Sequence, residues 1–124
     1  MGLGFCSATS SVDVASAQML LPSARSSDGA ASFKQQCGTC HATGLSDAPR
    51  QGPPQIRIIG QHAGRVDGFH YSPSLAQAGF TWDENTLDAW LTNPQAVLPG
   101  AIMAYRQSKP ETRAAIITYL KGLN

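Results

Sequence analysis

The sequence predicts an all-α fold, with helices set in loops and no sheet. Three observations carry that expectation. Apolar residues recur at helical spacing in separate stretches: Ala30, Phe33 and Cys37; Leu87, Trp90 and Leu91; Ile116, Ile117 and Leu120. Helix-starting patterns precede the later two, at Thr81–Glu84 and Ser108–Glu111. Between the helical stretches, glycine and proline mark loops, and the span from Ile56 to Phe80 has no sustained period.

At 124 residues the chain is read as one domain. Its net charge of +1 comes with no basic stripe, so nothing points to nucleic acid. No apolar run is long enough to span a bilayer. A folded part of about 100 residues has a small core and often needs a staple.

Residues 1–26 are small and rich in Ser and Ala, and no charged residue stands before Asp13. Ala15-Ser16-Ala17 fits the cleavage pattern of a signal peptide, although no Lys or Arg precedes it. A leader or a disordered segment is expected there, with the folded domain over 27–124. The first helix is expected from Ser27 or Asp28, either serving as N-cap.

That helix runs into Cys37-Gly38-Thr39-Cys40-His41. Two cysteines two residues apart, followed at once by histidine, form the attachment signature of c-type haem. Each thiol adds across a haem vinyl group, and His41 delivers an imidazole to the iron from the same turn. A thioredoxin-like redox pair would want a βαβ context, which is absent here. A zinc site would want four ligands, and His62, His70 and Cys6 stand in no finger spacing. Two of the three cysteines are thus used, and Cys6 is left over. The loop after the motif holds Pro53, whose carbonyl is a free acceptor for the far nitrogen of His41; Pro54 is the alternative.

The span from Ile56 to Phe80 is expected as loops and turns, with one short helix near Ser74 to Ala78. Thr81-Trp82-Asp83-Glu84 reads as a capping box with Thr81 as N-cap. Leu87, Trp90 and Leu91 form one helical face, and Asn93-Pro94 stops that helix. Pro99-Gly100 rules out a long helix before Tyr105, and Met103 lies in this stretch. The last helix starts at a second capping box, Ser108 to Glu111, and Lys121-Gly122 ends it.

From Asp28 to Asn124 the chain resembles a class I cytochrome c of the mitochondrial and bacterial c2 type. The matches fall in order: Gly29 and Phe33, the haem motif, Gly52-Pro53, Gly64-Arg65, Tyr71, Thr81-Trp82, Asn93-Pro94, Pro99-Gly100-Ala101-Ile102-Met103 and Tyr119-Leu120-Lys121. The resemblance implies the small class I cytochrome c fold, wrapped around one covalently bound haem c. Cys37 and Cys40 would tether it, and His41 and Met103 would be its axial ligands. His/Met ligation is the pairing that raises the potential of cytochromes c.

The resemblance further implies that Arg65, Tyr71 and Trp82 stand against a buried haem propionate. Trp90 occupies the place of a tyrosine that in the family bonds the methionine sulfur; its indole N–H can donate, or the ring only packs. Gly29, Phe33, Ile116 and Tyr119 would form the crossing of first and last helices. Ala101 stands where relatives carry a hydroxyl.

The implied function is a soluble, monomeric electron carrier, not an enzyme, cycling between Fe(II) and Fe(III). Its partners would be a donor reductase or dehydrogenase and an acceptor such as an oxidase. Its place would be the bacterial periplasm, because haem attachment in this family occurs outside the cytoplasm. With only Lys34, Lys109 and Lys121 present, a strongly positive docking face is not expected. The alternative is a five-coordinate haem protein that binds gases or acts as a peroxidase.

Overall fold

The computed structural model describes residues 2, 23–44, 47–48 and 50–123. The expected signal-peptide pattern and Cys6 lie outside the described residues. Among the described residues five helices follow in order: α1 (Ser23–Gln36), α2 (Pro73–Ala76), α3 (Glu84–Thr92), α4 (Pro94–Val97) and α5 (Pro110–Gly122). Among the described residues there is no strand, and a lone antiparallel bridge joins His62 to Thr81. The all-α expectation holds.

The crossing of α1 and α5 is the main helix–helix contact. Gly29 makes it close: a Cβ there would come within 2.3 Å of the Ala115 carbonyl oxygen and 2.9 Å of the Tyr119 Cβ. One turn on, the Phe33 and Tyr119 rings lie 5.3 Å apart, tilted by 46°. Ile116 is fully buried beneath them. Phe33, Ile116, Ile117 and Leu120 then join Leu87 and Leu91 of α3 and Ile58 of the central loop in one core.

Four helix boundaries differ from the sequence expectation, three of them for a tertiary or backbone reason. The first helix begins at Ser23, ahead of Ser27 and Asp28. The short helix over Ser74 to Ala78 instead spans Pro73–Ala76, because Ser72 caps it by accepting from the Leu75 N–H at 3.3 Å. In α3 the N-cap is Asp83, not Thr81. Thr81 and Trp82 are held extended: Thr81 bridges His62, the Trp82 N–H donates to Gln61 O at 2.9 Å, and Gly60 N–H donates to Trp82 O at 2.7 Å. Helical geometry can begin only after them, so Asp83 and Thr86 form the reciprocal capping box, each bond 2.8 Å. Glu84 moves to the first helical position and pairs with Lys121 of α5.

The Ser108–Glu111 capping box also fails to form. Lys109 is the N-cap and makes no side-chain cap bond. Pro110 is the reason: it is preorganised for the first helical position, and it holds the residue before it extended. Pro94 behaves likewise, opening α4 immediately after α3 has ended.

Candidate functional site

The end of α1 builds the motif. Phe33 O accepts from both Cys37 N–H and Gly38 N–H, at 2.7 and 2.9 Å. Cys37 O then accepts from Cys40 N–H at 3.0 Å and His41 N–H at 2.9 Å. Both thiols and the imidazole are thus fixed by a single continuation of the helix. No disulfide joins the two cysteines. Burial, then the neighbouring Cys40, pushes the Cys37 thiol up to about 11.

His41 is seated from the following loop. Its Nδ1 lies 2.8 Å from the Pro53 carbonyl oxygen. A carbonyl can only accept, so Nδ1 carries the proton and Nε2 keeps a free lone pair. The Gln55 amide donates to the same carbonyl at 3.0 Å. Burial lowers the imidazole below its ordinary value, against the raising effect of the Pro53 bond, which favours the neutral, ligating form. Gly52 lies flat against the ring, where a Cβ would come within 2.3 Å of Cε1.

His41 opens onto a cavity of about 420 Å³. Its apolar walls include Phe33, Ile58, Leu87, Leu91, Ile116 and Leu120, and Cys37, Cys40 and Met103 share them. The Trp90 indole N–H donates to the Met103 sulfur at 3.1 Å. Trp90 in turn meets Trp82 edge-on, with ring centroids 5.4 Å apart. A large, flat, apolar group anchored by two thiols fits this donor set: two soft or borderline ligands, two tethers and a dry wall. Among the described residues no cluster of three or more His, Cys, Asp or Glu could hold a bare metal ion instead.

Comparison with known proteins decides the family. The family model described as Cytochrome c matches residues 26–124. This chain belongs to the cytochrome c family. It is 44% identical over 87 residues to cytochrome c2 of Rhodomicrobium vannielii, covering 69% of this chain and 70% of that one. It is 36% identical over 104 residues to cytochrome c-550 of Novispirillum itersonii, covering 75% and 94%. With cytochrome c of Cannabis sativa it shares 35% identity over 101 residues, covering 81% and 91%. It is a class I c-type cytochrome, an electron-transfer haem protein with one covalently attached haem c and its iron.

In this cytochrome the residues picked from sequence mostly converge. Cys37, Cys40, His41, Pro53, Tyr71, Trp82, Trp90 and Met103 all line the cavity. Pro53, rather than Pro54, takes the His41 bond. The Tyr71 hydroxyl accepts from Val66 N–H at 3.1 Å, which leaves its own proton free to donate. Burial raises the Tyr71 pKa above its ordinary value, against the lowering effect of the Val66 bond.

Arg65 departs from the expectation. It is exposed, and the cavity is lined by Gly64 and Val66 on either side of it. Gly64 has φ +76°, and the Leu75 carbonyl lies where a Cβ would be. The chain turns there, and Arg65 stays exposed, where a charge costs least to keep. His62 and His70 are exposed at the rim.

Three residues that sequence inspection passes over also serve the site. Gln55 shares the Pro53 carbonyl with His41. Arg50 donates to the Gly38 carbonyl, straddling the motif's turn from outside. Gln95 bonds both ways to the chain just before Met103. All three are polar loop or short-helix residues with no periodic signal.

Proposed function

We propose that this cytochrome is a single-haem electron carrier with His41 and Met103 as axial ligands. The supporting observation is a pair of seats on one cavity: His41 fixed through Pro53 with Nε2 free, and the Met103 sulfur held by the Trp90 N–H. When bound, the haem supplies the one-electron Fe(II)/Fe(III) couple. Cys37 and Cys40 tether it, and the apolar walls exclude water. Tyr71 and Trp82 offer hydroxyl and indole donors to a haem carboxylate withdrawn from water. Arg65 is not part of this set.

No helix among the described residues is long and apolar enough to cross a membrane. Attachment of haem to thiols fits the bacterial periplasm. The partners are a donor reductase or dehydrogenase and an acceptor oxidase or similar protein, met by a monomer. With His41 and Met103 both holding the iron, no ligand position would be left for a substrate.

The absorption spectrum of the ferric protein tests the reading. A weak near-infrared band from methionine bound to iron is expected. A high-spin spectrum without that band, with carbon monoxide binding to the reduced protein, would remove Met103 as ligand and favour a gas sensor or peroxidase.

A further inference from the structure

Met103 sits on a stretch, residues 98–109, that contains neither helix nor strand. Its inward residues alternate with exposed ones: Ala101 is buried, and Met103 and Tyr105 pack against the core. Ile102 is 77% exposed, and Ala104 and Arg106 are exposed as well. With no helix or strand bonds of its own, the stretch adds to that packing a set of polar contacts to either side of the sulfur.

On the near side, Gln95 of α4 clips the chain. Its amide nitrogen donates to the Ala101 carbonyl, and its amide oxygen accepts from Gly100 N–H at 3.2 Å. The side chain thus satisfies both a donor and an acceptor of the main chain just before Met103. On the far side, Gln107 is the fixed point. Its N–H donates to Leu91 O of α3 at 2.8 Å, and its carbonyl accepts from Arg113 Nη1 at 2.9 Å. Arg113 belongs to α5, and its side chain is only 11% exposed. Its Nε donates to Asp88 Oδ1 at 2.7 Å, so one guanidinium joins α5, α3 and the methionine stretch. Hydrogen bonds from a charged, largely buried donor are the stronger kind.

We propose that Gln95 and Arg113, bonding the main chain on either side of Met103, are positioning residues that hold the methionine on the iron. The proposal rests on Met103 being a ligand. Neither residue touches the sulfur; both act by resisting departure of the segment that carries it. An outside ligand that must displace methionine therefore reads their effect directly.

The test uses the ferric holoprotein titrated with imidazole, with the near-infrared band and the melting temperature followed together. Gln95→Ala and Arg113→Lys are each expected to raise imidazole affinity roughly tenfold, the worth of one or two lost hydrogen bonds. Ile117→Ala, a core change away from the cavity, is expected to lower the melting temperature and leave imidazole affinity unchanged. Wild-type affinity in both anchor variants overturns the proposal, as does an equal gain in Ile117→Ala. Should Arg113→Lys fail to fold, Gln95→Ala decides alone. A wild-type ferric protein lacking the methionine band overturns the ligand reading itself, and the proposal with it, and is told apart by that spectrum.

Discussion

The crossing of α1 and α5 and the stretch that carries Met103 contribute to the same cavity wall by different means. At the crossing, Gly29 admits the Ala115 carbonyl and Phe33 meets Tyr119 over a fully buried Ile116. Contacts of this kind are many, weak and shared. The Met103 stretch packs only alternate residues, Ala101, Met103 and Tyr105, and is held besides by a few directed bonds: Gln95 to Gly100 and Ala101, Gln107 to Leu91, Arg113 to Gln107, Trp90 to the sulfur. A packed region resists change in volume; a pinned one resists loss of a donor. The Cys37–His41 turn continues α1 of the first region, and Met103 lies in the second.

Volume added at the crossing should give the largest effect. Gly29→Val drives two methyl groups into the Ala115 carbonyl, and a loss of about 3 kcal/mol is expected, read by thermal unfolding of the holoprotein. A wild-type melting temperature would show that the crossing is not closely packed. Gly52→Ala puts the same kind of clash beside His41. Its Cβ would meet the His41 ring at 2.3 Å, so a loss of about 2 kcal/mol is expected together with an altered haem absorption spectrum. An unaltered spectrum would mean that the loop, not the ring, gives way.

In the pinned region, removal of a donor is the sharper probe. Trp90→Phe keeps a ring and deletes the bond to Met103, at an expected cost of about 1 kcal/mol. Because that bond draws electron density from the sulfur, its loss should also lower the reduction potential, measured by redox titration. An unchanged potential would make Trp90 a packing residue only.

The smallest effect concerns the cap of α3. The Thr86 N–H bond holds the Asp83 carboxyl below its ordinary value of 3.8. The folded state therefore favours the charged form, so the stabilisation is present above that value and is lost as pH falls through the lowered one. Asp83→Asn keeps an oxygen cap but no charge. Its melting temperature should lie slightly below wild type at neutral pH and converge with it in acid. A gap that stays constant with pH would mean that the carboxylate's charge contributes nothing.

Much of the site was legible because chain connectivity alone sets it. Cys37, Cys40 and His41 are placed by one helical turn, and Phe33 lies one turn upstream on the same face. Capping was less legible. Thr81 and Ser108 both have suitable neighbours, yet Thr81 is drawn into a bridge with His62, and Ser108 is displaced by Pro110 one residue beyond the true cap. A cap is a local pattern, but the backbone it needs is set by what the segment pairs with.

By itself, the sequence determined the all-α class, the haem attachment turn and the helical faces, because spacing along one chain fixes which side chains share a turn. Tertiary structure alone decided that Pro53 rather than Pro54 receives His41, that Trp90 donates to sulfur, and that Arg65 remains in water. It also brought Gln95 and Arg113 to the methionine stretch. The physical reason is common to these cases. A hydrogen bond needs its partners within about 3 Å and well aligned. Across loops and between helices, only the packing of the whole chain sets that distance.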